Sequence, residues 1–354
     1  MNYYHYIMAF LTAFGVVLFA TPSLIKVAKL KHLVDEPKED RKKHHISIPT
    51  IGGVMIFSAF LFACFLWFPD SNNSGKIISP FLYLMASLVL LFFVGIKDDI
   101  IGMSPTKKLF AHIVVGFILV AMGGLKITSM HSLFGVDVIF PDYAQLIISI
   151  FVYIVIVNAM NLIDGIDGLA SGIGLIACVV FGIWFYYSNQ PHWTLVSFSL
   201  AGALFGFLIF NFNPARIFMG DSGSLTIGAI ISVLTIALIE TPTDFLSDTF
   251  QHISTPIFAM AILAYPLIDT LRVFITRSIK GKSPFEADRT HLHHKLSDKG
   301  YGHKKVVLII FLFNITIIGM AFLLPFSNSI LTFLSCTLYS IAFIMFTVYY
   351  KRNK

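Results

Sequence analysis

Charge is what this sequence has least of. Only 12% of its 354 residues are Asp, Glu, Lys or Arg, against 56% apolar, and the mean hydropathy is +0.81. Soluble domains carry roughly twice that charged fraction, about 25%, so a large soluble domain has nowhere to sit. Cysteine is scarce too. Cys64, Cys178 and Cys336 each fall inside an apolar stretch, and an odd, membrane-embedded set excludes a disulfide framework. A cleavable leader is also missing from the opening segment. It has no basic n-region and no A-x-A site, and its charges follow the apolar run, so it reads as a first membrane helix.

Apolar runs fill the rest, each long enough to cross a hydrocarbon core of about 30 Å. Such runs must be helical, because lipid offers no partner to an unpaired backbone group. Eleven spans are expected, at 6–28, 51–69, 78–96, 109–124, 144–160, 168–188, 194–211, 222–240, 256–275, 306–325 and 330–350. The expected fold is all-α: one polytopic transmembrane catalytic domain over 1–354. Between the fourth and fifth spans, Lys126–Asp142 alternates polar and apolar residues around Gly135 and reads as a small hairpin.

Basic residues orient the bundle. If the loops after spans one, three, five, seven and nine share a side with the C-terminus, that side holds 23 of the 25 Lys and Arg, all but Lys76 and Lys126. The positive-inside rule makes that side the cytoplasm, with the N-terminus outside. Trp67, Trp184 and Trp193 then fall near the outer boundary, where interfacial aromatics belong. The net charge of +6 describes one face, suited to anionic headgroups or a polyanionic substrate. Nucleic acid is a poor partner for it, because these residues sit on short loops pinned to a membrane.

Five inner loops carry dense polar motifs. The first places Arg41, Lys42, Lys43, His44 and His45 ahead of Pro49 and Gly52-Gly53. Arg and its neighbours can grip phosphate oxygens, although a topology signal alone would explain the run. The third span ends in Asp98-Asp99, followed by Lys107-Lys108. Adjacent carboxylates at a membrane boundary are costly unless solvated, paired or metal-bound. Their side chains point about 100° apart on a helix, so the two divide their roles. After the fifth span comes Asn161-Leu-Ile-Asp164-Gly165-Ile-Asp167-Gly168-Leu169, with oxygen-bearing side chains every three residues and glycines that let backbone approach a ligand. Asx-turns are the plainer alternative. The seventh-to-eighth connection carries Arg216 and Asp221 directly before a helix start. There Asp221 is either an N-cap or an anchor for Mg²⁺ against phosphate. The ninth-to-tenth loop holds Arg289, His291, His293 and His294. Without a Cys or further His at ligand spacing, these suit phosphate or sugar hydroxyls better than zinc. Asp269 is expected to pair with Arg272, one turn on. Carboxylates for a divalent ion, cations for phosphate and a base for the nucleophile are the inventory of phosphoryl transfer.

These motifs resemble the polyprenyl-phosphate N-acetylhexosamine-1-phosphate transferases. The carriers are Asp98-Asp99, N-L-I-D-G-I-D-G-L at 161–169, N-P-A-R-I-F-M-G-D-S-G-S at 213–224 and R-T-H-L-H-H at 289–294. The His-x-His-His form is similar to the branch that transfers GlcNAc-1-phosphate to undecaprenyl phosphate. The phospho-MurNAc-pentapeptide branch shows three consecutive histidines, a run that Leu292 interrupts here. The resemblance implies transfer from UDP-GlcNAc, or a related UDP-HexNAc, to undecaprenyl phosphate in a bacterial cytoplasmic (inner) membrane, with Mg²⁺ or alternatively Mn²⁺. It implies that Asp98 deprotonates or orients the lipid phosphate, with Asp99 beside it and Lys108 on phosphate oxygens. Asn161 and Asp221 would hold the metal, and Asp164 would support that centre. Asp167 would read the uracil, and Arg289, His291, His293 and His294 would bind the sugar and diphosphate. Gly168, Leu169, Arg216 and His44 would be further substrate-binding residues. Direct displacement is expected in place of a covalent phospho-enzyme, and a homodimer is compatible with the sequence. The rival from another class is a lipid or anion transporter. Transporters keep ionisable groups near the midplane on broken helices, whereas the acids here gather at one interface.

Overall fold

The computed structural model describes residues 3–35, 48–68, 75–136, 138–242, 246, 250–281, 291–324 and 329–349. Among them are α1 (Tyr4–Leu30), α2 (Gly53–Leu66), α3 (Gly75–Ile101), α4 (Pro105–Phe117), α5 (Asp142–Leu162), α6 (Leu169–Tyr187) and α7 (Pro191–Asn211). There follow α8 (Gly220–Ile239), α9 (Thr255–Ile262), α10 (Ala264–Ile279), α11 (Leu292–Asp298), α12 (His303–Leu323) and α13 (Ser329–Tyr349). A π turn, Ile118–Met122, continues α4.

Every expected span meets a helix, but not eleven full spans. Among the described residues, nine helical stretches are long and apolar enough to cross a bilayer, and α9 with α10 makes a tenth only as a pair bent by 79°. Helix α2 has 14 residues, about 21 Å at 1.5 Å per residue, short of the hydrocarbon thickness. Its start is pinned: Gly52 and Gly53 donate their N–H groups to the carbonyls of Phe218 and Met219, at 3.0 and 2.8 Å.

Helix α8 is the axis of the bundle. Every residue from Ser222 to Leu238 is buried, as expected of a helix apolar on all sides. Close neighbours reach it through glycine. A Cβ on Gly53 would collide with Gly223 and Ser222, and one on Gly95 with the Ser222 backbone. Such small-residue contacts let helix backbones approach in a membrane, where no hydrophobic force drives helices together. The two ends of α8 differ in chemistry. Asp221 stands at its start, while Glu240, just past its end, accepts from Thr128 N (2.9 Å) and Thr128 Oγ1 (2.7 Å) and meets His131 Nε2 at 2.6 Å.

That far-end contact anchors the expected hairpin, closed by a bridge between Ser129 and Ile139. The all-α expectation needs one amendment. Val34–Asp35 and Ile48–Pro49 pair as two-residue antiparallel strands, β1 and β2, flanking the first inner loop. Of the tryptophans, Trp184 faces the protein interior instead of lipid: it is 2% exposed and donates to Thr241 Oγ1 at 3.2 Å. The three cysteines are buried thiols.

The corner between α9 and α10 has a specific cause. Pro266 has no N–H for the carbonyl of Ile262 four residues back. Asn314 of α12 supplies it instead, donating Nδ2 to Ile262 O at 3.0 Å while its Oδ1 accepts Tyr265 N at 3.1 Å. Beyond the corner, α10 is arranged with its polar side inward. Asp269, Val273 and Arg277 are buried, while Leu271, Phe274, Ile275 and Ile279 are exposed.

Candidate active site

The end of the bundle that carries the start of α8 gathers the acids. The last turn of α3 and first turn of α4 are joined by a bend at Gly102, which takes φ +72°, a conformation open to glycine without strain. The bend brings Asp98 and Lys108 together. Lys108 Nζ stands 2.6 Å from Asp98 Oδ2 and 2.7 Å from Asp221 Oδ2. Asn161, in the last turn of α5, donates Nδ2 to Asp221 Oδ1 at 3.0 Å and to Ser224 Oγ at 2.8 Å. Three helices thus converge on one carboxylate from α8.

Asp99 has a different duty from its neighbour. Its Oδ1 accepts the backbone N–H of Asp221 at 2.7 Å and its Oδ2 that of Ser222 at 3.0 Å. It caps α8 from α3, satisfying donors that a helix start leaves unpaired. Asp221 is therefore not the cap of its own helix, and its side chain is turned toward Lys108.

The turn after α5 and the loop after α7 are sewn together by Asn211, 2% exposed. Its Oδ1 accepts Gly168 N (3.0 Å) and Ser171 Oγ (2.9 Å), and its Nδ2 donates to Ile217 O (3.0 Å). Asp167, 5% exposed, accepts from Asn213 Nδ2 at 2.9 Å and Ala215 N at 3.1 Å, both on Oδ2. The Asn213–Pro214 peptide is cis. Gly168 takes φ +81° and Leu169, fully buried, starts α6. Arg216 is exposed, its guanidinium 5.5 Å from the centroid of the Phe210 ring.

The histidines sit at the start of α11. His291 and His293 stack with ring centroids 5.4 Å apart and planes 10° from parallel, and His294 lies 4.3 Å from His293. Leu292 between them is fully buried. His293 is itself 1% exposed, and burial pulls its imidazole down to about 3, Asp269 opposing in part. The ring is neutral. A Cβ on Gly165 would lie 3.2 Å from His293 Nε2, so the histidine cluster abuts the Asp164–Gly165 turn. Asp269, fully buried on α10, accepts His291 Nδ1 at 2.8 Å and Leu292 N at 2.8 Å.

Burial first, then the charges of Asp221, Asp99 and Asp167, push the Asp164 carboxyl well above the usual carboxylate range. Asp98 and Asp221 share one ammonium, from Lys108, and Asp164 adds a further carboxyl that feels the charge of Asp221, so the pocket favours a further cation. Among the described residues, no three His, Cys, Asp or Glu side chains form a ready-made ion cage. The donors do fit a hard cation that takes few protein ligands. Asp221 supplies carboxylate oxygens, Asn161 carries an amide oxygen beside the Nδ2 it turns to Asp221, and Mg²⁺ is ordinarily held by one or two carboxylates plus waters and substrate phosphates.

Of the sequence-derived residues, Asp98, Lys108, Asn161 and Asp221 are in direct contact, and Asp99, Asp164 and Asp167 border them. His291, His293 and His294 adjoin through Gly165. His44 and Arg289 lie outside the described residues. Asn211, Tyr265 and the His291 contact of Asp269 were not anticipated. Their one signal was polarity inside apolar helices.

The family model described as Glycosyl transferase family 4 matches residues 81–239, a range that takes in Asp98 through Asp221. A decaprenyl-phosphate N-acetylglucosaminephosphotransferase of Mycobacterium tuberculosis is 32% identical over 85% of this chain and 78% of its own. Two undecaprenyl-phosphate alpha-N-acetylglucosaminyl 1-phosphate transferases also match. That of Yersinia pestis is 30% identical over 80% of this chain and 75% of its own. That of Escherichia coli O157:H7 is 28% identical over 96% and 90%. With relatives this similar along most of their length, and Asp98 and Asp221 of the matched range gathered at one end of the bundle, the chain belongs to the polyprenyl-phosphate N-acetylglucosamine-1-phosphate transferases of glycosyl transferase family 4.

Proposed function

We propose that the protein transfers GlcNAc-1-phosphate from UDP-GlcNAc to undecaprenyl phosphate, releasing UMP, at the cytoplasmic face of a bacterial inner membrane. The observation that carries this reading is the contact of Lys108 with both Asp98 and Asp221 beside a crowded Asp164. Both substrates are anionic, one cytosolic and one lipid-embedded. A pocket of oxygen donors and cations at a bundle end is where their phosphates can meet. The distribution of Lys and Arg supports an inside location for that end.

In this reading Asp98 orients the lipid phosphate and accepts its proton. Lys108 shifts from the two carboxylates toward phosphate oxygens as they arrive. A lipid-phosphate oxygen then bonds to the sugar-bearing phosphorus, whose bond to the UMP oxygen breaks, and UMP leaves with that electron pair. Charge neutralisation and positioning supply most of the barrier reduction in such transfers. Asn161 and Asp221 would hold Mg²⁺, or Mn²⁺, which when bound would supply Lewis-acid neutralisation of the diphosphate. The stacked histidines hold the donor's sugar and diphosphate, with Arg216 at the exposed rim. Direct displacement is favoured because Asp99 is committed to capping α8 and Asp98 serves as the base toward the lipid phosphate. The buried Leu292 separates His291 from the following pair, which supports the GlcNAc branch over the phospho-MurNAc-pentapeptide branch.

The test is to incubate purified protein with undecaprenyl phosphate and a panel of UDP-sugars, with and without Mg²⁺, and to measure UMP. Release with UDP-GlcNAc alone is expected. No release from any sugar, together with uptake of lipid or anion by proteoliposomes, would make it a transporter.

A further inference from the structure

Asp269 is fully buried, on a membrane-embedded helix, and has no place in the phosphoryl-transfer scheme above. A buried carboxylate must be matched by donors. Here they come chiefly from one place: Leu292 N–H to Oδ1 at 2.8 Å and His291 Nδ1 to Oδ2 at 2.8 Å, with Arg272 Nη2 at a longer 3.5 Å. A carboxylate only accepts, so His291 must carry its proton on Nδ1. That leaves Nε2 as the nitrogen for another partner. The neighbouring His293 turns Nδ1 toward Tyr265 Oη at 3.3 Å, and toward Asp269 Oδ2 at 4.0 Å. Its Nε2 is buried without a hydrogen-bond partner and faces Gly165. An orphaned buried nitrogen is uncommon in a folded protein, and this one points at the turn that carries Asp164.

We propose that Asp269 is the positioning residue of the histidine cluster. By holding His291 Nδ1 and Leu292 N together, it fixes the His291 tautomer and sets α11 against the Asp164–Gly165 turn, so that His291 Nε2, left as an acceptor, receives a hydroxyl of the donor's sugar. This rests on the transferase reading for its ligand, not for its tautomer. The carboxylate–histidine pair works here as an orienting partner does in a catalytic triad, where replacing the acid by its amide inverts the imidazole and costs activity with the geometry intact.

Two measurements test it. In wild-type protein, ¹⁵N NMR of the histidine rings, with His291 assigned by the His291→Gln spectrum, is expected to show the proton on Nδ1; a ring protonated on Nε2 alone overturns the proposal. In Asp269→Asn, Oδ1 still accepts Leu292 N while Nδ2 becomes a donor, so the His291 proton should move to Nε2. The value of kcat/KM for UDP-GlcNAc should fall about 100-fold or more, with unfolding temperature little changed. A lost fold, or unchanged kinetics beside an active wild type, would overturn the assignment. His291→Asn keeps a donor for Asp269 without Nε2. It should fold normally and fall as far, and combining it with Asp269→Asn should add little. If wild-type protein releases no UMP at all, the transferase reading fails, while the tautomer measurement still decides the role of Asp269.

Discussion

Asp99 reaches from the end of α3 to accept two backbone N–H groups at the start of α8, those of Asp221 and Ser222. The adjacent Asp98 points instead to Lys108. Two consecutive carboxylates therefore do separate work, one placing the Asp221 backbone and the other facing the side-chain cluster. Asp99→Ala should cost about 1–2 kcal/mol, the range for a lost helix cap, and lower the unfolding temperature in detergent. Asp98→Asn should leave that temperature near wild type and reduce kcat by about 100-fold or more. Equal stability losses in both variants would refute the division.

Gly95 lets α3 lie directly on the Ser222 backbone. Gly95→Ala would wedge the two helices apart by about 1 Å, because the added Cβ would overlap Ser222 Cα, at the point where Asp98 and Asp221 share Lys108. Misplacement on that scale can cost up to about 100-fold in rate. The expected result is a fall in kcat of at least about tenfold with KM for UDP-GlcNAc changed little. Wild-type turnover in this variant would show that helix spacing there does not set the site.

Asp221 meets both Lys108 and Asn161. In Asp221→Ala the Mg²⁺ concentration needed for half-maximal transfer should rise at least about tenfold, since a cation loses one of the few carboxylates available to it. A metal titration that superimposes on wild type would leave Asp221 as a purely structural contact.

Burial and neighbouring carboxylates raise the Asp164 carboxyl above its unfolded value, near 3.9 for Asp. Between those two values the folded state binds more protons than the unfolded one, so this group's contribution to stability falls as pH rises through that window. In EDTA, Asp164→Asn should therefore raise the unfolding temperature at pH 8 and leave it unchanged at pH 3, while abolishing transfer. His293 has the opposite sign. Its folded value near 3 lies below the unfolded value of about 6.5, so its contribution is lost as pH falls below about 6.5. A variant at Asp164 as unstable at pH 8 as wild type would remove the crowding argument.

Much of this architecture was readable before any coordinates, and for physical reasons. Bilayer thickness fixes span length, so apolar runs located every helix pair. Acids within apolar stretches are costly, so Asp98, Asp164 and Asp221 stood out individually. What stayed hidden was pairing across distant sequence. Asp269 had a sufficient local partner in Arg272, which concealed its shorter contact with His291, 22 residues on. The 14-residue length of α2 was masked by flanking apolar residues that are not helical. The corner at Leu263 had one clue, Pro266, whose effect depends on an asparagine 48 residues later. Asp167 looked like a free ligand because nothing in its own segment foretold Asn213 and Ala215.

The outward Leu271, Phe274, Ile275 and Ile279 of α10 occupy one side of a helix whose other side grips the histidines through Asp269. Such a helix is a float: its immersion depth follows the hydrocarbon boundary. If the histidine cluster binds the donor as proposed, bilayer thickness would set the height of that cluster through α10, and turnover in reconstituted vesicles should vary with acyl-chain length even when both substrates are saturating.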